Sequence, residues 1–211
     1  MSSLGNDPGL DEKLLRLSAS MDQFEGYAAG QANRVAWAAD ALAERFGVAQ
    51  RDRELLQHAA LLHDLGEVRM DRDYLRADRA LSLSERLDLE RHPIIGEQEA
   101  AKLDLPKSVQ LLIRWHHEWW NGSGYPDRLQ ADEIPLSARI LRVADAYCSL
   151  TSARPWRRAV PEAEARAELV LGAGHEFDPA IVHAFQNIHL PVSAEVKTAG
   201  PSAEIFSSFG R

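Results

Sequence analysis

The sequence predicts an all-α protein, and three observations favour this fold class. Apolar residues recur at helical spacing through most of the chain, alternating β patterns are nearly absent, and Gly or Pro punctuates the ends of the segments. A chain of 211 residues fits one domain with a substantial core. We expect residues 10–190 to form that domain, residues 1–9 a flexible N-terminus, and residues 191–211 an irregular tail.

The first two helical segments span residues 10–46 and 52–65. The first is two helices or one long bent helix, because its apolar residues keep the i, i+3, i+4, i+7 spacing. Gly66 is a natural stop for the second segment. His63 and Asp64 are therefore expected in the last turn of this helix.

The rest of the chain predicts further helices around one long loop. A capping-box spacing starts a helix at Ser82, and Pro93 separates it from the next helix because proline disfavours α geometry at His92. A helix over residues 107–118 brings a His pair to its C-terminal end. A loop rich in Gly, Asn, Asp and Pro then leads to the last three helical segments, at 136–153, 161–171 and 178–188.

Composition excludes several classes of protein. The balance of 24 Lys and Arg against 32 Asp and Glu gives a net charge of −8, which argues against binding a nucleic-acid duplex. No apolar run approaches the roughly 20 residues of a membrane helix, and no secretory signal is evident. A single cysteine, Cys148, cannot build a disulfide framework or a Cys-rich zinc site. We expect a cytoplasmic protein without a membrane segment, whose metal ligands would be His and carboxylates.

Six His and Asp residues at or near helix ends form a candidate metal site. Imidazole and carboxylate together suit Fe, Mn or Zn, and a carboxylate can bridge two metals, so we expect two ions with Asp64 as the bridge. Such a pair activates water for phosphodiester hydrolysis. Any one of these residues alone is more often solvated or hydrogen-bonded, but the two adjacent pairs favour a metal. The six are His63, Asp64, His92, His116, His117 and Asp145.

Four stretches of the chain resemble the HD-GYP family, a branch of the HD phosphohydrolase superfamily. They are LLHDLGE at 61–67, RHPIIGEQ at 91–98, HHEWWNGSGYPDRL at 116–129 and EIPLSARILRVADAYCSLTSARPWRRA at 133–159. The resemblance covers about residues 25–190. It implies an HD helical fold and metal-dependent hydrolysis of cyclic dinucleotides, chiefly cyclic di-GMP, in bacterial signalling. It also implies the same six metal ligands.

The resemblance assigns further roles, each with a structural alternative. Arg139, Arg154 and Arg157 match family arginines that hold phosphate or shape the site, and helix-to-helix ion pairing is an equal alternative. Glu118 is a candidate to orient an imidazole, or it is solvated.

The loop of Gly124, Tyr125 and Pro126 is associated in the family with contacts to diguanylate cyclase (GGDEF) domains. The alternative is a structural turn that braces the end of the preceding helix. The residues of the loop favour neither interpretation over the other.

The chain departs from the family pattern near the metals. Gln31 stands where the family has a His ligand, and Tyr27 where some members have a carboxylate for a third metal, so two metals are the ceiling. Glu67 replaces a Lys, which inverts the local charge. Cys148 and Glu176 replace a frequent Asp and His.

Two hypotheses follow from these departures. In the first, Glu67 compensates for the lost ligand, and the site retains hydrolytic activity with Asp64 and Glu67 as catalytic residues. In the second, the site is degenerate and the protein is a metal- or nucleotide-binding signalling module. A third reading, a hydrolase of nucleoside monophosphates, is disfavoured by the intact Gly-Tyr-Pro loop.

Overall fold

The computed structural model describes residues 8–27, 30–154 and 157–188. Within these ranges there is no β-strand, only two isolated bridges, so the all-α prediction is confirmed. Short 3-10 turns occupy Asp73–Arg76 and Ala131–Glu133. The α-helices are α1 Pro8–Phe24, α2 Gln31–Arg45, α3 Gln50–Leu62, α4 Leu65–Met70, α5 Leu83–Leu89, α6 His92–Lys102, α7 Lys107–Trp115, α8 Leu136–Leu150, α9 Glu162–Gly172 and α10 Pro179–Phe185.

The two ends of the chain fall mostly outside the described ranges. Helix α1 begins at Pro8, two residues before the predicted boundary of the flexible N-terminus. Residues 1–7 and the predicted tail at 191–211 lie outside the described residues. The division into one domain and two irregular ends stays a prediction.

Helix α2 lies at the centre of the packing, against α3 on one side and α8 on the other. Its buried face is largely alanine, which lets the neighbouring helices approach closely. Large apolar side chains from the surrounding helices fill the core, including the fully buried Leu42, Leu56, Ile113 and Leu141. Burial of such side chains is the main source of stability in a helical domain of this kind.

The predicted helix over residues 52–65 is broken in the structure. Helix α3 ends at Leu62 and α4 starts at Leu65, so Gly66 lies inside a helix and is not a stop. A Cβ at Gly66 would lie 2.0 Å from the carbonyl oxygen of His92, which no side chain tolerates. Gly66 is therefore required for the close packing of α4 on α6, and Asp64 falls in the break between two helices.

Two helices meet close to Pro93, as predicted, but His92, which the proline was expected to keep out of α geometry, is helical. Helix α5 ends at Leu89 and α6 begins at His92, with the proline in the first turn of α6. The capping box at the start of α5 is also present, because the backbone N–H of Ser82 donates to Glu85 Oε2 at 2.8 Å and the Ser82 hydroxyl accepts from the Glu85 N–H. The chain thus enters α6 with His92 as the first helical residue.

Candidate metal centre

Five of the six predicted ligands lie at or next to helix ends. His63 is the C-cap of α3 and His116 the C-cap of α7, while Asp64 precedes α4. Asp145 projects from the middle of α8. Because carbonyls at a helix C-terminus lack partners inside the helix, such ends can anchor the polar side chains that follow.

Asp64 lies between two groups of imidazole nitrogens. Its Oδ2 is 2.9 Å from His63 Nε2, and that same nitrogen is 3.4 Å from Asp145 Oδ1. Its Oδ1 is 3.4 Å from His92 Nε2 and 3.6 Å from His116 Nε2. One carboxylate therefore faces a different set of donors with each oxygen, which is the arrangement that a bridging ligand requires.

His117 completes the second group. One ligand atom each from Asp64, His92, His116 and His117 lies within 4.8 Å of the others. His63 and Asp145 join this group through Asp64 Oδ2. All six predicted ligands are brought together, and their role as metal ligands stays a prediction.

The tautomers of three histidines are set by backbone carbonyls. In each, Nδ1 lies within hydrogen-bond distance of a carbonyl oxygen three residues earlier and must donate to it, because a carbonyl only accepts. A neutral ring then carries its free lone pair on Nε2, the atom turned toward the cluster. The pairs are His63 with Ala60 at 2.8 Å, His92 with Leu89 at 2.8 Å and His116 with Ile113 at 2.7 Å.

The donor set fits a metal ion. His92 Nε2 and His116 Nε2 lie 3.2 Å apart. When both nitrogens present lone pairs, they repel unless a proton or a cation lies near both. A carbonyl-anchored imidazole with a lone pair facing carboxylates is how proteins hold divalent transition metals. Imidazole and carboxylate donors without thiolate suit Fe, Mn and Zn.

Burial and mutual charge control the protonation of these groups. Burial alone would lower the pKa of His63, but the carboxylates of Asp64 and Asp145 raise it well above its usual value. Burial opposes ionisation of Asp64, yet the charge of His63 and hydrogen bonds from the surrounding imidazoles hold its pKa well below the usual range. Burial and the charge of neighbouring imidazoles lower the pKa of His117 well below its usual value. The centre therefore keeps its carboxylates ionised and at least one imidazole neutral.

Two further acidic residues face this centre. Burial and the charge of Asp64 raise the pKa of Glu67 to about 7. Glu25 is 5% exposed, and burial followed by the charges of Asp64 and Glu67 raises its pKa well above the usual value. The sequence pattern did not single out Glu25, because the resemblance aligned the family's carboxylate for a third metal with Tyr27.

The three predicted phosphate-binding arginines occupy different surroundings. Arg139 Nη1 lies 2.6 Å from Asp178 Oδ2, and its Nε donates to a backbone carbonyl, so internal ion pairing engages it. The guanidinium of Arg157 donates to the carbonyl of Ser149. Of the three, only Arg154 lies beside the acidic pair Glu25 and Glu67, and its Nη2 is 3.0 Å from Glu25 Oε2. A phosphate-binding role stays a prediction for all three.

Arg142 is a buried cation beside the centre that the sequence analysis missed. Its Nη1 lies 2.9 Å from Asp145 Oδ2, and its Nη2 is hydrogen-bonded to Glu176. The available signal was its position three residues before Asp145 on one helix, which places both side chains on one face. Nothing in the sequence alone distinguished this pair from a surface ion pair.

Glu118 holds the loop that follows the His pair. Its carboxylate accepts the backbone N–H groups of Asp127 at 2.6 Å, Arg128 at 3.1 Å and Leu129 at 2.9 Å. It is 2% exposed. The expectation that it orients an imidazole or is solvated is wrong, because its oxygens are engaged by the loop backbone.

The Gly-Tyr-Pro loop turns back onto the metal centre. The Tyr125 ring stacks on the His117 ring, with centroids 4.9 Å apart and an interplanar angle of 26°. A Cβ at Gly124 would lie 2.3 Å from the backbone nitrogen of Trp119, so this position needs glycine for close approach. These contacts favour a bracing role, and contact with a partner stays a prediction.

Gln31 stands where a His ligand was expected from the resemblance. It is 4% exposed, and its Oε1 accepts the hydroxyl proton of Ser152 at 2.5 Å. Arg34 donates to the same hydroxyl, which ties the start of α2 to the end of α8. The side chain of Gln31 thus has a structural partner in the helical packing.

A helical fold with a largely buried cluster of His and Asp side chains defines an α-domain that could hold a metal ion. A family model described as HD domain matches residues 18–181. The chain belongs to this HD domain family, and its resemblance to the HD-GYP branch is confirmed by its relatives.

Three curated relatives show the range of similarity. A cyclic di-GMP phosphodiesterase of Vibrio cholerae is 40% identical over 63% of this chain and 28% of its own length. The cyclic di-GMP phosphodiesterase response regulator RpfG of Xanthomonas campestris is 35% identical over 82% of this chain and 46% of its own. A 3′3′-cGAMP-specific phosphodiesterase of Vibrio cholerae is 32% identical over 71% and 29%. The chain spans less than half the length of each of these relatives.

Solved structures share the fold. A cyclic GMP-AMP phosphodiesterase of Vibrio cholerae superposes with a TM-score of 0.66 at 21% identity, over 84% of this chain and 48% of that one. An HDG"Y"P protein from Bdellovibrio bacteriovorus gives 0.63 at 24% identity, over 74% and 50%. Among the residues that the structure describes, no helix has both the length and the apolar character needed to cross a membrane.

Proposed function

We propose that the protein is a metal-dependent phosphodiesterase that hydrolyses cyclic dinucleotides, chiefly cyclic di-GMP, to the linear dinucleotide or GMP. The observation that carries this proposal is the position of Asp64, which turns one oxygen toward His63 and the other toward His92 and His116. The names of the relatives support the substrate class, since they act on cyclic di-GMP or 3′3′-cGAMP.

Two divalent ions would be held by the six clustered residues. His63 and Asp145 would serve one ion, His92, His116 and His117 the other, and Asp64 both. Iron or manganese is our first expectation and zinc the alternative, because all three accept this donor set. Such ions polarise the phosphoryl oxygens and make hydroxide available at neutral pH.

The protein's own groups prepare this chemistry. Carbonyl bonds to Nδ1 fix the rings of His63, His92 and His116 before any ligand arrives, so no reorganisation is needed on binding. His63, His92 and His116 are buried, and the lower dielectric around them strengthens the charge interactions within the cluster.

Glu67 is the residue that we assign to proton exchange or to support of a metal in place of the lost ligand. Burial and the charge of Asp64 raise the pKa of Glu67 to about 7 in the metal-free protein, which places this carboxyl in the range of a general acid or base. The positive charge of Arg154 acts on Glu67 and offsets part of the local negative charge. The acidic side of the site is thereby made compatible with an anionic substrate.

The proposal extends to location and partners. A lone, buried Cys148 and a thiolate-free metal site are compatible with the cytoplasm, which stays our expectation. We further propose that the outer edge of the Gly124-Tyr125-Pro126 turn is available to a diguanylate cyclase domain, because the flanking Asp127 and Arg128 are exposed.

A degenerate signalling module is the second candidate, favoured by one observation. Gln31 occupies the place of an expected His ligand and is bonded to Ser152. A site with one donor fewer would hold its ions less tightly. In that case the protein would bind a metal or a nucleotide without turning it over.

Product analysis separates these candidates. The protein is reconstituted with Mn²⁺ or Fe²⁺ and incubated with cyclic di-GMP, 3′3′-cGAMP and a nucleoside monophosphate, and products are resolved by chromatography. We expect linear dinucleotide or GMP from cyclic di-GMP, and no product from an Asp64→Asn variant. Bound metal without turnover supports the signalling module, and turnover of the monophosphate alone contradicts the proposed substrate class.

A further inference from the structure

A buried arginine links a metal-ligand candidate to a distant turn of the chain. Arg142 lies in the middle of α8, with only 13% of its side chain exposed. An arginine at such depth is found where its charge is matched by carboxylates, because an unpaired buried charge is strongly destabilising. Here two carboxylates provide the match, Asp145 and Glu176.

The first carboxylate belongs to the metal centre. Arg142 Nη1 donates to Asp145 Oδ2 at 2.9 Å, whereas Asp145 Oδ1 lies 3.4 Å from His63 Nε2. The two oxygens of Asp145 are thus divided between the guanidinium and the cluster. A carboxylate whose second oxygen is held in this way offers a single oxygen, in one orientation, to a cation beside His63.

The second carboxylate belongs to the turn between α9 and α10. The backbone of this turn is tied to the loop after His117, because Trp120 N–H donates to the Glu176 carbonyl at 3.1 Å and Asn121 N–H to the His175 carbonyl at 3.0 Å. The Glu176 side chain therefore leaves a fixed backbone. It accepts from Nη2 of the guanidinium, whereas Asp145 accepts from Nη1.

We propose that Arg142 is a positioning residue that holds Asp145 as a one-oxygen metal ligand, and that Glu176 fixes Arg142 in turn. The inference rests on the proposed metal site and adds the residues that set its geometry. Arg142 contacts no substrate in this account and acts through Asp145. Mutation of a residue that hydrogen-bonds and orients a metal ligand typically lowers metal affinity or activity by about 10–100-fold.

Metal affinity measured by competition with a chelating dye, with Mn²⁺ as the metal, tests the proposal independently of any substrate. For Arg142→Gln we expect the affinity of the ion that Asp145 would hold to fall by about 10–100-fold. Glu176→Gln keeps the shape of the side chain but removes its charge, and we expect a smaller loss in the same direction. Arg142→Lys keeps the charge but not the two-pronged geometry, and should recover part of the affinity.

Arg53 supplies a matched control. It bridges Asp40 at 2.7 Å and Glu44 at 3.1 Å, so it is also an arginine shared by two carboxylates, but between α2 and α3. Arg53→Gln removes the same kind of bridge from a place that holds no metal-ligand candidate. We expect its metal affinity to match that of the unaltered protein.

A double-mutant cycle with Asp145→Asn shows whether Arg142 acts through Asp145. Once Asp145 has lost its charge, Arg142→Gln should change metal affinity by less than about twofold. An affinity for both ions that is unchanged in Arg142→Gln overturns the proposal and leaves the proposed function standing. If Arg142→Gln does not fold, an unchanged affinity in Glu176→Gln overturns it instead. An unaltered protein that binds no metal overturns both proposals.

Discussion

At the scale of single residues, Asp64 owes its position to a break between two helices. It follows the C-cap of α3 and precedes the first residue of α4, so its carboxylate is free of either helix face. Both oxygens can then turn toward different imidazoles. The adjacency of His63 and Asp64 in the sequence was enough to predict a shared site, but not this arrangement of oxygens.

Glu67 is expected to support the metal centre in this chain. Replacing it by Ala should lower metal affinity and turnover by about 10–100-fold, as for other groups that support metal ligands. Metal content and hydrolysis rates measured side by side test this expectation. Glu168→Ala, on the exposed surface of α9, is the control. If the metal content and the hydrolysis rate are unchanged in Glu67→Ala, Glu67 does not compensate for the lost ligand.

The thiol of Cys148 is expected to be unreactive in the folded protein. Burial raises the pKa of its thiol to about 12, so almost no thiolate exists at pH 8. Labelling by a thiol reagent at pH 8 should be at least about a thousandfold slower in the native protein than in denaturant. Rapid stoichiometric labelling of the native protein would contradict the burial.

The raised pKa of the Cys148 thiol makes the free energy of unfolding fall at alkaline pH. A thiol that ionises at about 8.5 when unfolded, and only near 12 when folded, makes no difference to stability at neutral pH. Above about pH 8.5 the unfolded state loses its proton first, so the free energy of unfolding falls as the pH rises. A Cys148→Ala variant should lack this part of the alkaline decline.

Arg142 and Glu25 show what a single sequence leaves hidden at this scale. Both are charged residues on helices or near their ends, where most charges are solvated. Their burial depends on which distant elements cover them, Glu176 for the arginine and Arg154 for the glutamate. Residue type and local spacing carry no signal for such long-range pairing.

At the scale of elements, helix identity was predictable and one boundary was not. The apolar period of residues 52–65 continues into the next helix, so nothing in the pattern predicts a break before Gly66. Just after the break, α4 packs closely against the backbone of α6 at Gly66. By contrast, a boundary close to Pro93 was predicted, although His92 is helical and the expected exclusion of α geometry before the proline does not occur.

The loop after α7 is expected to depend on the Glu118 carboxylate. Glu118→Gln replaces one of two acceptor oxygens by a donor, which leaves at least one of three loop N–H groups unmatched. We expect a loss of about 2–4 kcal/mol in the free energy of unfolding, measured with urea.

A second carboxylate in the same loop provides the control for Glu118. Glu133 accepts the backbone N–H of Gln130 at 2.9 Å but is exposed. Glu133→Gln should therefore cost less than about 1 kcal/mol. Equal losses in the two variants would show that burial of the Glu118 carboxylate is not what stabilises the loop.

At the scale of the whole molecule, metal binding and folding are expected to be coupled. Asp64, Asp145, Glu67 and Glu25 place several carboxylates in one buried region of a chain whose net charge is already −8. Two divalent cations would relieve their mutual repulsion in the folded state only. The folded protein should therefore be stabilised by metal and destabilised by chelators.

Thermal unfolding with and without metal measures this coupling. Free Mn²⁺ at about a hundredfold above its dissociation constant adds about 2.7 kcal/mol per site. In a chain of this size each kcal/mol moves Tm by roughly 2–4 °C, so a rise of at least about 5 °C is expected. Asp64→Asn should lose most of this rise. If neither metal nor chelator changes Tm, metal binding and folding are not coupled.

Hydrolysis of a cyclic dinucleotide is expected to require two ions shared by Asp64. This requirement is tested by the rate of cyclic di-GMP hydrolysis as the metal-free protein is titrated with Mn²⁺ or Fe²⁺, with bound metal measured in the same samples. We predict little turnover up to one bound ion per chain and a steep rise as the second binds. Turnover that is complete with one ion, or absent when two are bound, would contradict it.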